Sequence, residues 1–198
     1  MSELRAPTGF RLHVSDDEFD TVALHAESDR VRAQAQSIEI GAAGFDAAAN
    51  AIRGARRHLS ATGELLAELH ETHARARCEA VTGLALRPTR SAYLYLDVDD
   101  RVELHQDVPS CALTCLICLA GDAPDLCLVA AAAAHPLERL LAEARRCAGR
   151  PPCAERVPLP AGRAVIFPGH RVPHYLERPR RASVLATLCY GTLLPAPR

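Results

Sequence analysis

The sequence contains no lysine and no tryptophan, and it has a single methionine among its 198 residues. All 23 basic side chains are therefore arginine. The absence of lysine excludes Schiff-base chemistry and the phosphate-binding loops that depend on a lysine ammonium. The arginines that remain are suited to planar, two-point recognition of carboxylates, although a GC-rich genome is the simpler explanation of the bias.

The sequence also lacks any block of one charge sign and any long apolar run. Its 23 basic and 24 acidic side chains give a net charge of -1, so nothing favours a nucleic acid or an anionic membrane as a partner. No stretch approaches the roughly 18 apolar residues of a membrane span, and the first residues do not resemble a signal peptide. We therefore predict a cytoplasmic protein, whose eight cysteines are expected to be free, buried thiols. The oligomeric state is left open.

Length and periodicity predict one domain with two unlike halves. Residues 1–88 are expected to be mainly helical, first over GFDAAANAIRGARRHL and then over SATGELLAELHETHARARCEAVTGL, where Gly83 is a suitable stop. Residues 89–192 carry short strand-like runs separated by turn residues. The predicted strands are SAYLYLD, RVELH, CALTCLICL, DLCLVA, ERVPL, RAVIF, RVPHYLE and ASVLATLCY.

One predicted helix, HPLERLLAEARRCAGRPP, interrupts these eight strands. Eight antiparallel strands of this length are typical of a closed double sheet. The sequence therefore predicts an α+β protein with a double-stranded β-helix core of the jelly-roll or cupin kind, supported by an N-terminal helical layer.

The segment ELHQDVPSC places His105 and Asp107 two residues apart at the end of a predicted strand. Residues two apart on a strand point to the same face, so an imidazole and a carboxylate share one space. A histidine from a distant strand would complete a two-His-one-carboxylate triad, which leaves metal positions open for other ligands. An isolated His-X-Asp is a weak signal, so the prediction depends on a second segment.

That second segment is GRAVIFPGHRVPHYLERPRRASVLATLCY. With it, the region from Tyr93 to Tyr190 resembles the 2-oxoglutarate/Fe(II)-dependent oxygenase superfamily, and within it the small bacterial members. The sequences of those proteins contain, in this order, His-X-Asp, a strand that begins with glycine, a distal histidine, and an arginine followed two residues later by serine or a similar small residue. The resemblance covers about half of the chain.

The resemblance implies His105, Asp107 and a distal histidine as the metal ligands and as the catalytic centre. His174, which stands seven residues after Phe167, is favoured as that histidine. His170 is the alternate, because it lies at the family's usual distance of eleven residues before Arg181, whereas His174 lies only seven before it. A turn histidine facing solvent is the simpler role for His170.

The resemblance also implies an arginine near the last strand that holds the far carboxylate of 2-oxoglutarate with two parallel hydrogen bonds. Arg181, with Ser183 two residues later, is the candidate, and Arg180 is the alternate. Tyr93 and Tyr95 precede the first ligand on an adjoining strand and are candidates to donate hydroxyls to the co-substrate. Ordinary packing explains the two tyrosines as well.

The function that the resemblance implies is a dioxygenase using Fe(II), 2-oxoglutarate and dioxygen to oxidise a small molecule, such as an amino acid or a natural-product intermediate, with formation of succinate and CO2. Because Asp107 occupies the position that halogenating relatives leave free for chloride, hydroxylation, desaturation or cyclisation is favoured over halogenation. Two alternatives remain: a metal-binding sensor on the same fold, and an iron oxygenase that does not use 2-oxoglutarate.

Overall fold

The computed structural model describes residues 2–5, 11–46, 51–121, 123–129, 137–147, 151 and 155–193. The strands, in chain order, are β1 (Ser2–Arg5), β2 (Arg11–Asp16), β3 (Gln36–Ile40), β4 (Gly44–Asp46), β5 (Ala51–Arg53), β6 (Arg56–Ala61), β7 (Leu86–Leu96), β8 (Arg101–His105), β9 (Leu113–Gly121), β10 (Ala123–Leu128), β11 (Glu155–Leu159), β12 (Arg163–Phe167), β13 (His174–Leu176) and β14 (Ser183–Thr192). The helices are α1 (Thr21–Val31), α2 (Glu64–Glu71), α3 (His73–Thr82) and α4 (Leu137–Arg146), and a 3-10 turn follows α1 at Arg32–Gln34.

Strands β7 to β14 correspond to the eight predicted strands, and every pairing among them is antiparallel. They form two walls, β12-β9-β14-β7 and β8-β13-β10-β11. Strand β6 joins the walls, because it pairs with β7 through Leu59–Ala61 and with β8 through Arg56 and Arg57. The predicted double-stranded β-helix is confirmed.

The two faces of the first wall bury different clusters of apolar side chains. On β14, Val184 belongs to a cluster between the sheet and helices α1 to α3, whereas its neighbour Leu185 belongs to the interior of the β-helix. This alternation follows from the two-residue repeat of a strand. Helices α1 to α3 therefore form the predicted support layer on the outer face of the first wall, while α4 packs on the second wall through Leu140 and Leu141.

A buried carboxylate, Glu27 of α1, fixes the support layer to the sheet. Its side chain accepts hydrogen bonds from the backbone N–H groups of Leu65 and Leu66 at 2.8 and 3.0 Å and from the Tyr93 hydroxyl at 2.6 Å. Two otherwise unpaired N–H groups at the start of α2 are thereby satisfied by a residue from another helix. Glu27 thus ties α1, α2 and β7 together at one point.

The prediction of a helix over residues 44–59 is wrong. The described residues of that segment form β4, β5 and the start of β6, and its residues 47–50 lie outside the described part of the chain. Alanine-rich sequence has a high intrinsic helix propensity, but pairing of β6 with β3, β7 and β8 overrides it. A Cβ at Gly54 would collide with the backbone oxygens of Glu103 and Leu104, so glycine is what lets this segment lie against β8.

The other helical predictions agree with the structure in part. The segment from residue 60 to 84 holds two helices, α2 and α3, and the second ends at Gly83 with a positive φ of 70°, as predicted. Helix α4 lies in the predicted interruption between the strands. In the part of the chain that the structure describes, no helix is both long enough and apolar enough to cross a lipid bilayer.

Candidate metal centre

Three side chains converge where the second wall meets the opening of the β-helix. His105 ends β8, Asp107 follows it, and His174 begins β13 directly opposite His105 in the strand register. The two imidazole rings lie with their centroids 4.2 Å apart. One possible ligand atom from each of the three residues lies within 4.8 Å of the other two.

Backbone carbonyls determine which ring nitrogen of each histidine faces the shared space. Nδ1 of His105 lies 2.9 Å from the carbonyl oxygen of Glu103, and Nδ1 of His174 lies 2.8 Å from that of Val172. A carbonyl can only accept, so each Nδ1 carries the proton and each Nε2 presents a lone pair. The two Nε2 atoms lie 3.7 and 3.9 Å from the carboxylate oxygens of Asp107.

Burial keeps both imidazoles neutral. It lowers the pKa of His105 well below its ordinary value, and the nearby Arg56 and His174 lower it further. Burial also lowers the pKa of His174, although the Asp107 carboxylate opposes the shift. The neutral form is the one that binds a metal ion, so no proton has to leave either ring at neutral pH.

The Asp107 carboxylate is held by residues of two neighbouring segments. The Thr114 hydroxyl at the start of β9 donates to Oδ2 at 2.5 Å, and the backbone N–H of Asp107 donates to the carbonyl of Gly169 at 3.1 Å. A Cβ at Gly169 would collide with both the Asp107 carboxylate and the Thr114 hydroxyl. A glycine at this turn is therefore what leaves room for the carboxylate.

We predict that Gly169→Ala weakens Fe(II) binding roughly 10-fold, the lower end of the range for losing a partner of a metal ligand. The added methyl group must displace the Asp107 carboxylate from its position between the two histidines. Fe(II) affinity measured anaerobically checks this, with Gly41→Ala as the control because a Cβ there meets nothing within 4 Å. Equal Fe(II) affinities in the two variants would contradict the prediction.

His170, the alternate third ligand, lies beside the triad and contacts it from outside. Its Nδ1 donates to the backbone carbonyl of Asp107 at 2.9 Å. Its own carbonyl accepts from the Gln106 side chain at 3.1 Å, and Gln106 Oε1 accepts from the backbone N–H of Ile52 at 3.2 Å. In this arrangement His170 helps to fix the loop that carries Asp107.

The three groups fit a small divalent metal ion of the iron kind. Metal–ligand bonds of about 2.1 Å place neighbouring ligand atoms about 3 Å apart. The three groups lie between 3.7 and 4.8 Å apart, so each pair needs to approach by about 1 to 2 Å to close on an ion. Two imidazoles and one carboxylate on one side of a cavity are the donor set of non-haem Fe(II) sites with open positions. The buried position and the fixed Nε2 atoms agree with such a site.

A cavity of about 260 Å³ opens beside the triad, inside the β-helix. Apolar side chains of both walls line most of it: Leu94, Val102, Leu116, Leu126, Phe167 and Leu176. Its polar lining includes Arg56 and His58 of β6, Arg90 of β7 and Thr187 of β14. Burial, followed by the charges of Arg56 and Arg90, lowers the pKa of His58 to about 4, so this ring is also neutral.

The structure does not bring the predicted co-substrate residues to this cavity. Arg180 and Arg181 are exposed, and Arg180 lines a separate surface depression. Ser183 is buried at the start of β14, and its hydroxyl has no hydrogen-bond partner in the described structure. The Tyr93 hydroxyl donates to Glu27 and the Tyr95 hydroxyl to the Ser28 carbonyl at 2.7 Å, so both tyrosines face the helical layer.

Sequence reasoning missed the cationic lining of the cavity. Arg56 and His58 fall within the segment that was predicted as helix, and Arg90 directly precedes the predicted strand SAYLYLD without any accompanying motif. The signal that could have revealed them is the alternation Arg56-X-His58 on a strand, which requires the segment to be recognised as a strand first.

No family model matches the sequence, and no curated protein resembles it closely enough to count as a relative. Solved structures match the fold well. The non-haem α-ketoglutarate-dependent carbocyclase SnoK from nogalamycin biosynthesis has a TM-score of 0.61 and 16% identity, and the match covers 90% of this chain and 78% of SnoK. HygX from Streptomyces hygroscopicus, solved with nickel and 2-oxoglutarate, has a TM-score of 0.62 and 15% identity, over 92% and 83% of the two chains.

A prolyl-4-hydroxylase from Pseudomonas putida is similar over 91% of both chains, with a TM-score of 0.56 and 16% identity. At these identities the likeness defines the fold. The chain has the double-stranded β-helix that these enzymes share, and it carries a His-Asp-His triad at the mouth of that fold. SnoK, HygX and the prolyl hydroxylase are the particular proteins against which its site can be compared.

Proposed function

We propose that the protein is a mononuclear, Fe(II)- and 2-oxoglutarate-dependent dioxygenase that oxidises a small molecule. The observation that carries the proposal is the convergence of His105, Asp107 and His174 beside a cavity within a double-stranded β-helix. Three protein ligands on one side of the ion leave positions for a chelating co-substrate and dioxygen. HygX, which has the same fold, was solved with nickel and 2-oxoglutarate bound.

Fe(II) held here would supply the redox chemistry that couples decarboxylation of 2-oxoglutarate to oxidation of the substrate. The protein supplies position and a dry environment. Neutral His105 and His174 present their Nε2 atoms, and the Thr114 hydroxyl orients the Asp107 carboxylate. Apolar side chains make up most of the cavity lining beside the triad.

The size of the cavity supports a small substrate. A volume of about 260 Å³ lies just below the range of typical small-molecule pockets, so the co-substrate leaves limited space beside it. SnoK takes part in nogalamycin biosynthesis, and HygX was also solved with hygromycin B bound. We therefore propose hydroxylation, desaturation or cyclisation of an amino acid or a natural-product intermediate.

One observation favours the alternatives of a metal-binding sensor or a 2-oxoglutarate-independent oxygenase. Neither Arg180 nor Arg181 lines the cavity, so the cation predicted for the far carboxylate of 2-oxoglutarate is not beside the triad. The assignment of Arg181 and Ser183 stays a prediction. The proposed function requires another cation for this role, or a co-substrate held by the metal alone.

The test is an anaerobic titration of the Fe(II)-loaded protein with 2-oxoglutarate, followed by visible absorption. A chelated keto acid gives a weak metal-to-ligand charge-transfer band, which is expected for the wild type and for Asp99→Ala, an exposed control. Asp107→Ala should lose the band. Admission of dioxygen should then yield succinate in the wild type, and iron-dependent oxidation without succinate would instead indicate the 2-oxoglutarate-independent alternative.

A further inference from the structure

Arg56 forms no ion pair with a described residue, and the carboxylate whose charge acts on it is that of Asp107. Its side chain is mostly buried and lines the cavity, and its Nε is a buried atom with no hydrogen-bond partner in the described structure. Other arginines are paired: Arg163 lies 2.7 Å from an Asp16 oxygen and Arg57 lies 3.9 Å from Asp100. No such ion pair forms at Arg56 among the described residues. A buried charge is costly unless it is paired, so this position is built for an anion from outside the chain.

The surroundings of Arg56 strengthen the need for an anion. Arg90 of β7 is largely exposed, but it lines the same cavity, and its charge acts on Arg56. Among the described lining residues, Asp107 is the one carboxylate, and the metal would engage it. The Arg56 charge acts on Asp107, His105 and His174, so it lies within electrostatic range of the triad. A divalent metal would add to the positive potential.

Among the described lining residues, Arg56 and Arg90 are the two arginines that a carboxylate could contact. Strand β14 contains no charged residue, and its interior-facing positions are Leu185, Thr187 and Cys189. The apolar lining consists of leucine, isoleucine, valine and phenylalanine side chains. A dicarboxylate chelated at the triad therefore has to direct its second carboxylate toward β6 and β7, where Arg56 and Arg90 lie and where the Thr187 hydroxyl is available.

We propose that Arg56, with Arg90 beside it, binds the far carboxylate of 2-oxoglutarate, so that the anchoring cation comes from β6 rather than from the last strand. The inference rests on the proposed function, because it assumes that the keto acid is chelated at the triad. It adds a residue outside the eight-stranded core to the co-substrate site. It also predicts selectivity for keto acids whose second carboxylate can reach Arg56.

The experiment compares two keto acids by the same anaerobic charge-transfer band, which reports binding and does not require turnover. The first is 2-oxoglutarate, and the second is 2-oxopentanoate, which has the same carbon chain with a methyl group in place of the far carboxylate. The variants are Arg56→Met, Arg56→Lys, the control Arg57→Met on the solvent side of the same strand, and Arg181→Met. Thermal melts verify that each variant is folded.

We expect Arg56→Met to weaken 2-oxoglutarate binding roughly 10- to 100-fold, as for loss of hydrogen bonds to a charged group. Binding of 2-oxopentanoate should be unchanged, because that ligand has nothing for Arg56 to bind. Arg56→Lys should recover part of the affinity, since it keeps the charge but loses the planar, two-point contact. Arg57→Met and Arg181→Met should behave like the wild type with both ligands.

Three outcomes overturn the inference and leave the proposed function standing, and a fourth overturns both. If Arg56→Met weakens the binding of both keto acids equally, Arg56 acts on metal binding or on folding and not on the far carboxylate. If Arg181→Met weakens the binding of 2-oxoglutarate selectively and Arg56→Met does not change it, the anchor is Arg181, as predicted from the sequence. A wild type that binds both keto acids equally would reject any carboxylate anchor while leaving the chelate intact. A wild type without a band for either ligand would overturn the proposed function together with the inference.

Discussion

Replacing His174 with alanine is expected to abolish the charge-transfer band at Fe(II) concentrations that saturate the wild type. The variant loses one of three protein ligands, so Fe(II) affinity should fall by more than the 10- to 100-fold typical for losing a partner of a ligand. His174 Nε2 lies 3.9 Å from Asp107 Oδ2, and its ring is fixed by the Val172 carbonyl. Anaerobic Fe(II) titration gives the affinity directly.

His170→Ala is the matched variant, because it removes the other histidine of the same turn. Its ring contacts the backbone of Asp107 and lies outside the group of three. We expect it to keep the band and to weaken Fe(II) binding only modestly, through a less rigid Asp107 loop. The reverse result is loss of the band in His170→Ala and its retention in His174→Ala. It would show that His170 is the third ligand and would contradict the proposed site.

Replacing Glu27 with alanine is expected to lower the free energy of unfolding by about 3 kcal/mol, since hydrogen bonds to a buried charged group contribute roughly 1.5–3 kcal/mol. Glu27 is 5% exposed and accepts from Leu65, Leu66 and Tyr93. Its loss leaves two N–H groups at the start of α2 and one buried hydroxyl without partners. Urea unfolding at pH 7 checks the value, and Tyr93→Phe, which removes one of the three hydrogen bonds to Glu27, should cost about 1.5 kcal/mol.

The pH dependence gives a second check on Glu27. Burial alone would raise its pKa, but the hydrogen bonds from Tyr93, Leu65 and Leu66 outweigh burial and lower the pKa in the folded protein. A lowered folded-state pKa means that the contribution is present above the unfolded value of 4.5 and is lost as the pH falls through the folded value. The difference between the wild type and Glu27→Gln should therefore narrow in acid. A difference that does not change with pH would contradict the ionised role of Glu27.

The core of the fold was predictable because its signals are local. Each strand from β7 to β14 is a short apolar run bounded by turn residues, and His105 and Asp107 are two apart at a strand end. The helix predicted for residues 44–59 failed because alanine favours helices locally, while the pairing of β6 with β8 joins residues about 45 positions apart in sequence. Local propensity contains no information about such a contact.

The sequence also could not predict which face of each strand points into the cavity. On β7, Leu94 and Arg90 point into the cavity, whereas Tyr93 and Tyr95 point to the helical layer, and both parities are equally consistent with the sequence. What distinguishes them is Glu27, a partner 66 residues earlier in the chain. The arginine near the last strand was inferred from a family spacing, and the turn before β14 leaves Arg181 exposed.

The register of strand β6 determines which of its side chains line the cavity. Its register is fixed on one edge by the pairs of Ile38 with His58 and Ile40 with Arg56, and on the other by Leu59 with Tyr95. A slip of one residue would turn Arg57 and Leu59 inward in place of Arg56 and His58, because successive side chains point to opposite faces. Deletion of one residue before Arg56 would therefore place Arg57 and Leu59 at the positions of Arg56 and His58, and would exchange a neutral imidazole for an alkyl group inside the cavity.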